Sequence, residues 1–144
     1  MLVTDEQVAA LRAYLVDDEE ESDRLIGYLE QSGGLDGFSA LFGSAFFDAV
    51  NRRFAPTWSV AEVVRFVATV RAHHLADPND LDPLNAERLI RTALGDGSVD
   101  DLDDEIRAAQ MILLPVLIHE EQPNPVALED ILAQARRRAN SLPL

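Results

Sequence analysis

The sequence predicts an all-α fold, and three observations carry that prediction. Apolar residues recur at three- and four-residue spacing through most of the chain, as one face of a 3.6-residue helix requires, and no stretch alternates at period two for long. Start signals (Thr4, Ser59, Asp82, Asn124) precede several of these stretches, and breakers (Gly33-Gly34, Pro56, Gly95) follow others. At 144 residues with 47% hydrophobic content the chain has the size of one ordinary domain, which buries roughly two thirds of the surface its unfolded form exposes. The expectation is a single all-α domain over residues 1–144, one compact bundle of six to eight helices with short loops.

Thr4 with Gln7 three residues on reads as a capping box, and Val8, Leu11 and Leu15 follow on one face. Continuing the phase reaches Asp18, Ser22, Leu25 and Leu29, so the pattern persists while its middle turns polar. The like charges of Asp17-Asp18-Glu19-Glu20-Glu21 weaken the connecting turn, which favours two helices, a break near Asp18 and a new cap at Ser22. Gly33-Gly34 stops the second. Asp36 then caps a segment in which Phe38, Leu41, Phe42, Ala45, Phe46, Ala49 and Val50 share a wide face, with Gly43-Ser44 as the place for an interruption. Five of the six phenylalanines lie between residues 38 and 54, so this helix is expected to be largely buried.

The stretch Trp58–Leu75 states its own start. Ser59 and Glu62 form a capping box, and Trp58 facing Val63 makes the matching hydrophobic staple. Val60, Val63, Val64, Phe66, Val67, Val70 and Leu75 fall on one arc, while Ala61, Glu62, Arg65, Ala68, Thr69 and Ala72 make the other side small rather than charged. That combination suits the middle of a helical domain, and the short loop at Pro56 makes this helix an antiparallel neighbour of the aromatic one. Asp77-Pro78-Asn79-Asp80 is a turn by composition. Asp82 with Pro83 opens a short helix through Leu94 to Gly95. An acidic link, Asp96 to Asp100, leads to a helix beginning at Asp101, and Pro115 is expected to kink or break it. Asn124-Pro125 starts a last helix to about Asn140, with Arg136, Arg137 and Arg138 at its negative end.

Charge is the strongest global feature. There are 26 acids against 12 basic residues, a net −14, and every basic residue is arginine. Residues 1–36 carry ten acids and two arginines, 37–76 two acids and four arginines, 77–110 ten acids and three, and 111–144 four acids and three. Two acidic blocks therefore flank a slightly basic middle, a field that repels nucleic-acid phosphates and anionic membranes and favours basic partners. Cysteine is absent, which excludes disulfides and thiolate chemistry and fits a reducing compartment. No basic and then apolar leader opens the chain and no apolar run approaches the length of a membrane span, so the expected location is cytoplasmic.

One group of residues breaks an apolar face. Arg71 and His74 fall on the apolar arc of the Trp58 helix and Arg53 lies in an apolar sector near the end of the preceding one, so a pocket presenting Arg53, Arg71 and His74 would hold a carboxylate or phosphate. The structural alternative weighs more: all three sit in last helical turns, where cations complement the dipole and long stems reach past the core.

Other chemistries fit worse. His73-His74 with Asp77, and His119 with Glu120 and Glu121, lack the spacing that puts two histidines on one helical face, so no metal site is expected. An EF-hand frame from Asp96 has Asp101 at its sixth position and Arg107 at its twelfth, where Gly and Glu belong. A helix-turn-helix around Leu94-Gly95 would send Asp101–Glu105 toward phosphates. With no G-x-S-x-G elbow, no Gly-rich phosphate loop and no lysine, neither an enzyme motif nor a cofactor is expected. The leading functional reading is an acidic interaction or regulatory module (a regulator, inhibitor, immunity-type neutraliser or nucleic-acid mimic) for a basic partner protein. The others are a small-anion-binding or enzymatic domain built on Arg53, Arg71 and His74, and self-association through the aromatic helix.

Overall fold

The computed structural model describes residues 2–97 and 104–142. Among them are seven α-helices, one 3-10 turn and no strand, so the chain is all-α. They group into two compact units, Met1–Phe46 with Gln122–Leu144, and Phe47–Glu121.

The first unit holds α1 (Asp5–Leu15), α2 (Glu19–Ser32), the start of α3 (Leu35–Phe54) and α7 (Pro125–Asn140). The Thr4 capping box is present: Thr4 Oγ1 accepts from the Gln7 amide at 3.2 Å and Gln7 Oε1 accepts from the Thr4 amide at 2.8 Å. The break near Asp18 is also present, but the cap is Asp18, which accepts from the Glu21 amide at 3.2 Å, and not Ser22. Asp17 turns the chain at φ 59°, which brings the next carboxylate over the open amides, while Ser22 falls with Leu25 and Leu29 on the buried face of α2. Gly33 closes α2 in the left-handed region at φ 78°, where a side chain is strained. The α3 helix begins at Leu35, with Phe38 N–H donating to Gly34 O at 3.1 Å, so Asp36 sits inside the first turn instead of capping it. The expected interruption at Gly43-Ser44 does not occur, because the Ser44 hydroxyl donates back to Ala40 O at 2.8 Å and needs no break in the helix.

Two helices, α2 and α7, pack on α1. Leu11, Leu15, Leu25, Leu29, Leu41 and Leu132 are buried, and Phe42 meets the Phe38 and Tyr14 rings with centroids 6.0 and 5.7 Å away. Arg12 grips Glu129 through two hydrogen bonds of 2.7 and 2.6 Å, and this guanidinium holds the Glu129 carboxyl below the usual range. Arg136 does not serve its own helix end: it reaches Asp5 Oδ1 at 2.8 Å and Val3 O at 2.7 Å.

The second unit holds the end of α3, α4 (Val60–His73), the 3-10 turn (Pro78–Asp80), α5 (Pro83–Ala93) and α6 (Asp104–Glu121). Ser59 Oγ caps α4 by accepting from the Glu62 amide at 3.2 Å. Val63, Phe66, Val67 and Val70 are buried, but Val60 and Val64 are 48% and 41% exposed. The whole opposite arc, Ala61, Glu62, Arg65, Ala68, Thr69 and Ala72, faces solvent. The buried arc is thus narrower than the sequence pattern, and α4 lies at the rim of its unit rather than in the middle. Phe54 of α3 meets Phe66 edge-on at 5.5 Å. The α5 helix packs on α4 and on α6, and its start is as expected, with Asp82 Oδ1 accepting from the Asn85 amide at 3.0 Å and Pro83 in the first turn.

Pro115 does not break α6. A proline inside a helix costs about 3 kcal/mol, but Leu113, Leu114, Val116, Leu117 and Ile118 around it are all buried, and each such burial contributes roughly 1.5–3 kcal/mol. The acidic link beyond Gly97 and the helix start expected at Asp101 lie outside the described residues.

Candidate functional site

Arg53, Arg71 and His74 have separate surroundings among the described residues. Arg53, at the end of α3, lies over the Phe54 and Phe66 rings, 4.9 and 5.6 Å from their centroids, and its Nε donates to Glu120 at 3.2 Å. Arg71 turns toward its own loop, where its Nε donates to the carbonyls of Pro78 and Leu81, both at 3.0 Å. His74 is the exposed C-cap residue of α4. Arg71 therefore braces the 3-10 turn against α4, and Arg71→Met is expected to cost about 1–2 kcal/mol in a denaturant titration, since it leaves two carbonyls without a charged donor.

Only Arg53 of the three lines the open hollow of about 400 Å³ beside α4, with Glu62, Arg65, Phe66, Thr69 and Glu120. Two guanidinium groups and two carboxylates make this lining neutral, and Glu120 already holds Arg53. A second hollow, about 280 Å³, is lined by Asp80, Asp82 and Glu105 with Asn79, Asn85 and Ala108 among others. Two of its three acids already serve the chain, as Asp82 caps α5 and Glu105 accepts from Asn85 Nδ2 at 3.2 Å. Among the described residues no group of three His, Cys, Asp or Glu is placed to hold a metal ion. The frame tested for calcium runs through residues 98–103, outside the described set.

Both acidic blocks are largely uncompensated among the described residues, with the pairs Glu21–Arg24 and Asp5–Arg136 in the first and Arg91–Asp96 in the second. Along α2, Glu21 is engaged by Arg24, whose Nε donates at 3.0 Å, and this hydrogen bonding, aided by the guanidinium charge, holds the Glu21 carboxyl below its usual range. Glu19, Glu20, Asp23 and Glu30 are exposed and have no ion pair among the described residues; Tyr28, on the same helix one turn after Arg24, is 51% exposed. Elsewhere Arg52 pairs with Glu121 at 2.7 Å and Arg91 with Asp96 at 2.7 Å.

Sequence reasoning passed over two residues. Asp48 is a carboxylate only 3% exposed in α3, flanked by Phe46, Phe47, Ala49 and Val50; an acid inside the most apolar helix was the available signal. Arg65 was grouped with a small-residue face, and only the structure separates it from its ion-paired counterparts. No helix among the described residues is long and apolar enough to cross a membrane. Comparison with family models, with curated proteins and with solved structures finds no match to this chain.

Proposed function

We propose that this chain is an acidic helical interaction module that engages a basic partner protein, as a cytoplasmic regulator or inhibitor would, through the solvent face of α2. The observation that carries the reading is the uncompensated set Glu19, Glu20, Asp23 and Glu30 on a helix that also exposes Tyr28. Six of the twelve arginines form ion pairs with carboxylates of the chain, and of the α2 acids only Glu21 is among their partners, which leaves this helix face as an electrostatic target. An exposed tyrosine adds what plain solubility does not require: an aromatic face on which an arginine or lysine of the partner can stack. The small-anion reading has weaker support, because Arg71 and His74 stand apart from the hollow that Arg53 lines and its lining is balanced.

The test is a calorimetric titration with an arginine-rich helical peptide. Neutralising Glu19, Glu20 and Asp23 together is expected to weaken binding about tenfold or more and to flatten its salt dependence, and Tyr28→Ala to weaken it severalfold at any salt. Binding that survives both changes undiminished overturns the proposal.

A further inference from the structure

We infer that the solvent face of α4 is the contact between two copies of this chain. The face exposes Val60 and Val64 at 48% and 41%, with Ala61, Ala68 and Ala72 beside them, so a second helix can approach the backbone closely. It also holds an unsatisfied complementary pair. Glu62 and Arg65 stand one turn apart, and their side chains, like those of Arg88, Arg107 and Arg137, have no ion pair among the described residues, unlike Arg12, Arg24, Arg52, Arg53, Arg91 and Arg136.

Charge selects the occupant. Residues 37–76 are the least acidic part of a −14 chain, with two acids and four arginines, so two copies meet there with the least repulsion. A strongly basic partner would confront Arg65 and a strongly acidic one Glu62, but a second copy supplies both signs. In an antiparallel pair about a two-fold axis, setting Ala61 opposite Arg65 of the second copy places each Arg65 beside Glu62 of the other chain, and the symmetry makes the contact twice. The small Ala61 leaves room for the guanidinium stem, and Trp58, half-buried in its own chain, comes over Ala68 of the second copy. The aromatic helix offers less apolar surface for self-association: Phe38, Phe42, Phe46 and Phe54 are buried, and of its phenylalanines Phe47 alone is exposed, at 37%.

Sedimentation of the full chain from micromolar to millimolar concentration tests the contact. The expected result is a concentration-dependent rise from 15.9 kDa toward twice that mass. Arg65→Glu and Glu62→Arg should each weaken association about tenfold, and the double swap should restore it to within about threefold, with helical content unchanged throughout. Ala68→Arg reaches the same loss through a different side chain. A monomer at every concentration, single swaps without effect, or a double swap as weak as the singles overturns the inference.

Discussion

A Gly37→Ala chain is expected to be about 2 kcal/mol less stable than the parent, although the same exchange inside a helix ordinarily stabilises by up to about 1 kcal/mol. A Cβ on Gly37 would lie 2.4 Å from Gln7 Nε2 and 3.0 Å from both Cδ and Oε1. The glutamine cannot swing aside freely. Its Nε2 donates to Gly34 O at 2.8 Å, its Oε1 accepts from the Thr4 amide at 2.8 Å, and the residue is 5% exposed. Moving it leaves buried polar groups unpaired and opens the α1 capping box as well. Urea unfolding of the double-mutant cycle with Gln7→Ala isolates the cause: once the amide is gone, the Gly37→Ala penalty should vanish or change sign. An equal penalty in both backgrounds contradicts the account.

The largest single loss is expected at Leu113→Ala, about 3–5 kcal/mol by equilibrium denaturation. Leu113 is fully buried in α6 among Leu114, Leu117 and Ile118. This segment cannot draw a backbone hydrogen bond from Pro115, so side-chain burial holds it helical and a cavity there weakens two supports together. Leu84→Ala in the neighbouring α5 removes the same atoms from a side chain 69% exposed, and should change stability by less than about 0.5 kcal/mol. Similar losses at the two sites would contradict this reading of the core.

Periodicity and caps made the helices legible in the sequence: Thr4-Gln7, Ser59, Asp82-Pro83 and Asn124-Pro125 all start where the structure starts them. What failed were single-residue punctuation signals set against tertiary context. Pro115 reads as a kink or break and Gly43-Ser44 as an interruption because local rules count the lost hydrogen bond or the weak helix former, whereas the apolar burial that keeps α6 unbroken is decided by partners distant in sequence and Ser44 bonds back within its own helix. Asp18 displaced Ser22 as a cap because the positive φ at Asp17 is a backbone choice that composition does not announce.

The candidate site was less legible. Arg53, Arg71 and His74 were chosen by helical phase alone, which tells on which side of a helix a residue lies but not that Arg71 bends to two loop carbonyls or that Arg53 rests on two phenyl rings. The acidic blocks were plain in composition. Which carboxylates lack a cation was not, because pairs such as Arg12 with Glu129 join residues far apart in the chain.

The central claim is that α2 offers its unpaired acids and Tyr28 to a basic partner, and backbone amide shifts during titration with an arginine-rich helical peptide test it most directly. The account predicts that the perturbed amides concentrate between residues 17 and 31 and that their shifts shrink as salt is raised. Shifts of equal size around Asp80, Asp104 and Asp130, which are also exposed acids, would reduce the binding to diffuse charge and contradict it.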